Sequence, residues 1–222
     1  MRRANEDSFL DARENGLWVV ADGMGGHSRG DLASQTIIRH LADFMPGDSA
    51  EDSIDDLKNR LHAANSACRD KARGDVVGST VAILLSQGGV CYFIWAGDSR
   101  IYRLRDDNMD QITEDHSLVQ ELFKRGEITA GQVDTHPSSN VITRAVGVHE
   151  TLIVDVLEEP VKPGDRFLLC SDGLFKDVKT DEIKHCLAAP TPGQALRDLV
   201  TQALARGGSD NVTGIVVQAA FS

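Results

Sequence analysis

Four short apolar runs in this sequence meet an aspartate. Asp22 follows Leu17–Ala21, Asp98 follows Tyr92–Gly97, Asp172 follows Arg166–Ser171, and Asp210 stands just before the run that ends at Val217. Runs of this length, dense in Val, Ile, Leu and Phe and bounded by turn residues, read as strands covered on both faces. A chain with several such strands has to stack them in layers. The aspartates then fall where strands stop, and strand ends on one edge of a layered sheet can converge. Gly23, Gly97 and Gly173 adjoin three of them and permit close backbone approach.

The segments between these runs complete the architecture. Asp31–Phe44 carries Leu32, Ala33, Ile37, Leu41 and Phe44 at helical spacing. Ser53–Ala72 repeats that pattern, with Ser53 as the expected N-cap and Gly74 as the stop. Thr80–Ser86 and Val90–Ala96 flank Gln87-Gly88-Gly89, and Arg100–Leu104 and Met109–Ile112 flank a turn at Asp106–Asn108. A short helix is expected at Ser117–Arg125, followed by an irregular stretch over 126–147. Strands are expected at Thr151–Leu157, Phe167–Cys170 and Val212–Gln218, with helices near Asp181–Ala188 and Gly193–Arg206. Tight turns between strands, with helices gathered in two blocks, predict an α+β layered domain of antiparallel sheets, not a doubly wound one. No linker or fixed-period repeat divides the chain, so a single domain over 1–222 is expected.

Several classes fall away. Lys and Arg number 23 against 34 Asp and Glu, a net charge of −11, which disfavours nucleic acid and anionic membrane as partners. Apolar runs such as Val81–Leu85 are far short of the ~18–20 residues of a membrane span. The start Met1-Arg2-Arg3-Ala4-Asn5-Glu6-Asp7 has no apolar core of a secretory signal. Cys68, Cys91, Cys170 and Cys186 form no C-x-x-C pair and read as buried reduced thiols of a cytoplasmic protein.

Any one Asp-Gly after a strand is an ordinary turn. As a set, converging carboxylates are costly unless something positive sits among them. Oxygen donors without paired His or Cys favour hard cations such as Mg²⁺ or Mn²⁺. Two such ions can activate water and stabilise a phosphoryl group during in-line displacement. Arg2 and Arg3 lie beside Glu6 and Asp7, and a guanidinium fork matches two phosphate oxygens. A phosphate-cradling loop at Gly23-Met24-Gly25-Gly26 is disfavoured, because Ser28 breaks the G-x-G-x-x-G spacing and Asp22 would repel a pyrophosphate.

Five motifs then stand in one order: R-x-x-N-E-D (Arg2 to Asp7), A-D-G-M-G-G-H (Ala21 to His27), G-D-S-R (Gly97 to Arg100), S-D-G-L (Ser171 to Leu174) and G-S-D-N-V-T (Gly208 to Thr213). With these the chain resembles a bacterial member of the metal-dependent PP2C-type (PPM) protein serine/threonine phosphatases, over essentially its whole length. The resemblance implies a four-layer αββα sandwich, two mainly antiparallel sheets flanked by helices, with a flap at about 115–150. It implies that Asp22 bridges two Mn²⁺ or Mg²⁺ ions, that the Gly23 carbonyl is a ligand of the second, and that Glu6 holds metal-bound water. Asp172 and Asp210 match ligands of the first, and Asp98 and Asp172 match those of a third, weaker ion. Asn211 matches a support for Asp210. Arg2 matches the phosphate-binding arginine, His27 could protonate the leaving alkoxide, and His136 in the flap could meet substrate. The family often has a second aspartate four residues after the S-D-G-L aspartate; here that position is Lys176, with Asp177 next. The implied reaction is hydrolysis of phosphoserine and phosphothreonine in proteins by direct attack of an activated water, opposing a serine/threonine kinase, with the kinase or its targets as partners and some relatives regulating protein secretion. A monomer is expected. Two alternatives stay open: a non-catalytic phosphoprotein-binding domain of the same fold, and a phosphatase of other phosphate esters.

Overall fold

The computed structural model describes residues 4–25, 30–72, 76–208 and 210–220. In chain order the strands are β1 (Asp7–Ala12), β2 (Leu17–Gly25), β3 (Val77–Ser79), β4 (Val81–Gln87), β5 (Val90–Ala96), β6 (Arg100–Arg105), β7 (Asn108–Gln111), β8 (Asp155–Pro160), β9 (Arg166–Cys170) and β10 (Gly214–Gln218). The helices are α1 (Gly30–Leu41), α2 (Ala50–Ala72), α3 (Leu118–Lys124), α4 (Ala130–Val133), α5 (Asp172–Phe175), α6 (Thr180–Leu187) and α7 (Pro192–Ala205). One sheet has the order β1-β2-β4-β5-β8, with β3 also paired to β2, and the other has the order β10-β9-β6-β7. Every ladder is antiparallel.

Strand alternation divides the core into three apolar seams. Leu17, Val19 and Ala21 of β2, with Val81, Ile83 and Leu85 of β4, face Ile37, Leu41, Leu57 and Leu61 of α1 and α2. The intervening residues Val20, Ala82, Leu84 and Phe93 turn the other way and meet Ile101, Phe167 and Leu169 of the second sheet. Leu168 and Cys170 of β9 face Ile183, Leu187, Leu199 and Ala203 of α6 and α7. Helices, sheet, sheet, helices: the apolar runs of β2, β4, β5 and β9 lack polar alternation because both faces of these strands are covered. The expected α+β four-layer arrangement is therefore the observed one.

Some local expectations differ. β2 does not stop at Asp22 but continues to Gly25, because β3 pairs with Gly23–Gly25 in register with the β4 pairing. Asp22 thus sits inside a strand, opposite Asp7 of β1. Helix α2 starts one turn before Ser53. Ser49 Oγ accepts from Asp52 N at 3.0 Å, while buried Ser53 donates to the Ser49 carbonyl. The stop expected at Gly74 lies outside the described residues. The strand expected at Thr151–Leu157 is instead β8, because β5 offers partners only from Trp95, opposite Asp155, to Val90, opposite Pro160. The turn after β6 is carried by Asp106 and Asp107 at φ 47° and 63°, the left-handed conformation that asparagine and aspartate tolerate.

The register also explains where the aspartates lie. Cys170, the last residue of β9, is paired with both Arg100 and Gly214, the first residues of β6 and β10. Asp98, Asp172 and Asp210 therefore emerge from one end of the second sheet. Asp7 and Asp22 form the terminal β1–β2 pair of the first sheet.

Candidate active site

Glu6, Asp22, Asp98, Asp172 and Asp210 line one cavity of about 470 Å³, together with Gly23, Asn140, Ile142 and Lys176. Two glycines let its walls come together. A Cβ on Gly23 would lie 2.2 Å from the Gly30 carbonyl oxygen and 2.6 Å from that of Glu6. One on Gly173 would lie 2.1 Å from the Asn211 carbonyl oxygen. These close approaches bring the start of α1 against β2, and α5 against the loop before β10. Hydrogen bonds tie the same pieces. Gly23 N donates to the Glu6 carbonyl at 3.1 Å, Gly30 N to Glu6 Oε1 at 3.1 Å, and Glu6 N to Asn211 Oδ1 at 2.9 Å. Asn211 N donates to Asp210 Oδ1 at 2.7 Å, so Asn211 serves both Asp210 and Glu6.

Charge crowding is the dominant property. Burial first, then repulsion from Asp7, Asp172, Asp98 and Asp210, pushes the Asp22 carboxyl well above the ordinary range. Burial and the charges of Asp172 and Asp115 raise Asp98 to about 7, with Lys176 acting against them. Asp7 is raised by burial, while hydrogen bonds from Thr213 and Ser171 oppose the shift. Carboxylates in such a site need a cation to stay ionised together. Asp172 Oδ1 is buried and has no hydrogen-bond partner. Oxygen donors alone, one of them buried without a partner, fit a hard divalent cation. Among the described residues no three His, Cys, Asp or Glu side chains stand close enough together to form a ligand group by themselves.

The turn bearing Asp98 is held by groups beneath it. Gly97 takes φ 112°, and a Cβ there would lie 2.6 Å from the Thr80 side chain. Thr80 Oγ1 is 2.6 Å from Ser99 Oγ and also accepts from Asp22 N at 3.1 Å, linking the Asp98 turn to the Asp22 strand. Buried His116 accepts from Gly97 N on Nδ1 at 3.2 Å, and its own N donates to the Gly97 carbonyl at 2.9 Å. With Nδ1 accepting, Nε2 bears the proton and donates to Asp155 Oδ2 at 3.1 Å. Burial lowers the His116 pKa, consistent with the neutral ring. Arg100 pairs with Asp115 and lies 3.8 Å over the Phe175 ring, which anchors α5.

From the region 126–147 only Asn140 and Ile142 line this cavity. His136 does not; its Nδ1 accepts from Ser138 N at 3.1 Å. Arg2 and His27 lie outside the described residues. A second cavity of about 490 Å³ shares Asp98, Asn140 and Lys176 with the first and extends to Arg100, Val119 and Phe175.

A family model described as "Protein phosphatase 2C" matches residues 3–212. The chain belongs to that family. The serine/threonine protein phosphatase PstP of Mycobacterium tuberculosis is 37% identical over 221 residues, an alignment that takes in 97% of this chain and 42% of PstP. The chain thus spans less than half the length of that relative. Among solved structures, PppA, "a key regulatory component of T6SS in Pseudomonas aeruginosa", is 44% identical with a TM-score of 0.90, covering 98% of this chain and 92% of that one. The catalytic domain of PstP "in complex with 2 Manganese ions" is 35% identical with a TM-score of 0.86, covering 97% of this chain and 92% of that one.

Protein phosphatase 2C motifs name the carboxylates, but other parts of this site lie outside them. His116, Asn140 and Ile142 were not singled out by sequence. His116 is the nearest to legible, as an isolated histidine between an acidic pair and the Ser117 helix cap. Nothing in the 126–147 pattern separates Asn140 from its polar neighbours.

Proposed function

We propose that this chain hydrolyses phosphoserine and phosphothreonine esters in proteins with the help of two divalent cations, Mn²⁺ or Mg²⁺. The observation that carries the reading is the buried, unpartnered Asp172 Oδ1 in a cavity lined by five carboxylates. Glu6, Asp22, Asp172 and Asp210, with the Gly23 carbonyl, would hold the ions, and Asp98 adds its charge to the same cavity. When bound, such ions make water a nucleophile near neutral pH and offset charge on a phosphoryl group.

The chain's own residues would do the rest. The β1–β2 pairing and the Gly23 and Gly173 contacts fix the carboxylates relative to one another, so substrate meets an ordered site. The Arg2 guanidinium would take two phosphate oxygens, and His27 would protonate the departing alkoxide. Asn140 and Ile142, as cavity-lining groups of the 126–147 segment, would contact the substrate chain in preference to His136. The reading extends to a cytoplasmic monomer opposing a serine/threonine kinase. Buried, unpaired Cys68, Cys91, Cys170 and Cys186 suit a reducing compartment. The likeness to PppA supports a place in the control of a secretion system. No helix among the described residues is long and apolar enough to cross a membrane.

The test uses p-nitrophenyl phosphate and phosphoserine, phosphothreonine and phosphotyrosine peptides, with Mn²⁺, Mg²⁺ or EDTA. The expected result is metal-dependent turnover that favours the serine and threonine peptides and is lost, with metal binding, in Asp22→Ala. Turnover that persists in EDTA, or near-normal turnover by Asp22→Ala, would overturn the reading.

A further inference from the structure

Lys176 is the only cationic side chain among the described residues that line the carboxylate cavity. It lies four residues after Asp172, the first residue of α5, so one turn of chain carries its ammonium back over that carboxylate. Lys176 Nζ donates to Asp172 Oδ2 at 2.5 Å and to Asn140 Oδ1 at 2.7 Å. One Asp172 oxygen is therefore taken, and the other, Oδ1, is buried without a partner. Lys176 is also close enough to Asp98 to act on it electrostatically. Both cavities that meet here share Asp98, Asn140 and Lys176.

The charge balance points the same way. Five carboxylates against one ammonium give the cavity lining a formal charge of −4, which two divalent ions neutralise. A third ion would leave that lining with an excess of positive charge. An ammonium already bonded to Asp172 Oδ2 also competes, by charge and by position, with a second ion for that oxygen.

We propose that Lys176 is a positioning residue that leaves Asp172 a single free ligand oxygen, and that its tethered ammonium supplies, beside Asp98 and Asp172, the charge a further divalent ion would otherwise bring. Through Asn140 the same ammonium fastens the 126–147 segment to the site. This inference rests on the metal reading of the preceding section.

The test counts ions directly. Metal-stripped wild type, Lys176→Asp, Lys176→Arg, and Lys176→Asp combined with Asp98→Asn are each equilibrated with Mn²⁺, and bound metal per folded chain is measured by dialysis and calorimetry. Circular dichroism confirms that each variant is folded. Lys176→Asp is expected to hold one more Mn²⁺ per chain than wild type, the added Asp98→Asn to remove it, and Lys176→Arg to match wild type. In parallel, limited proteolysis of Lys176→Met in EDTA is expected to cut within 126–147 faster than in wild type. Equal Mn²⁺ counts for wild type and Lys176→Asp would overturn the inference and leave the metal reading standing. No Mn²⁺ uptake by any of the proteins would overturn both.

Discussion

Alanine at Gly173 would put a Cβ 2.1 Å from the Asn211 carbonyl oxygen and 3.2 Å from Asp210 Cβ. A carbon and an oxygen in ordinary contact stand about 3.3–3.6 Å apart, so the two segments must part by about 1 Å. Neither can yield freely. Helix α5 is anchored by Phe175 beneath Arg100, and the Asn211 side chain bonds Glu6 N and the Ala4 carbonyl. Because Gly173 follows Asp172 and Asn211 follows Asp210, the strain separates two carboxylates of the cavity. Overpacking of this kind costs about 1–3 kcal/mol of stability. A misplacement of about 1 Å at a reacting centre costs on the order of 100-fold in rate. Gly173→Ala should therefore remain folded, lose a small part of its stability in urea, and drop about 100-fold in kcat for p-nitrophenyl phosphate at saturating Mn²⁺. Gly88→Ala is the control: its φ of 62° adds a backbone strain that Gly173 does not carry, but nothing lies within 4 Å of the added Cβ and the β4–β5 turn does not line the cavity, so it should keep wild-type kcat. A Gly173→Ala enzyme with wild-type kcat and Mn²⁺ affinity would show that this contact does not set the carboxylate spacing.

Other expectations follow from the same charges and contacts. Asp22→Asn removes a carboxyl that burial and its neighbours oppose, so in EDTA the variant should melt above wild type, by about 0.5–2 kcal/mol, while Mn²⁺ no longer raises its Tm; a lower Tm in EDTA would contradict this. His116→Ala leaves the Gly97 N–H unpaired and should cost about 1–3 kcal/mol, whereas His116→Asn, whose Oδ1 can replace Nδ1, should recover part of that stability and of kcat. Burial alone would raise the Asp165 carboxyl, but the Arg105 guanidinium and the Lys162 N–H outweigh it and hold it below 3.8. The native state then binds fewer protons than the unfolded chain, so this stabilisation is present above about pH 4 and fades as pH falls through the lowered value. Urea titrations of wild type and Asp165→Asn should differ clearly at pH 7 and converge toward pH 2. Parallel curves would refute the assignment.

Sequence and structure agree where one periodicity acts alone. The runs 90–96 and 167–170 are uniformly apolar because two layers cover them, and that pattern survives in a single sequence. Agreement fails where a partner decides. Asp22 reads as a strand end because apolarity stops there, yet β3 extends the pairing to Gly25. β8 begins where Trp95 supplies a partner, not where Thr151 begins an apolar pattern. Asp22, Asp98, Asp172 and Asp210 were legible as acids beside apolar runs, whereas Glu6 and Gly23 were marked only by the motifs that hold them. Asn140 and His116 were not, since their places depend on backbone groups remote in the chain, such as the Gly97 turn 19 residues from His116.

The division of the carboxylates between sheets has a mechanical consequence. Asp22 rides on the first sheet, whereas Asp172 follows β9 and Asp210 precedes β10 of the second. Apolar contacts such as Phe93 on Phe167 fill the middle seam, with polar links such as Arg103 to Glu159 at its rim. An ion held by Asp22 and Asp172 together would be a rivet through that seam. Its binding energy would oppose the parting of the two sheets, so loss of metal should loosen the molecule along its central plane, not only at the mouth of the cavity. Conversely, a core substitution deep in the seam, such as Phe167→Ala, should weaken Mn²⁺ binding without touching any ligand.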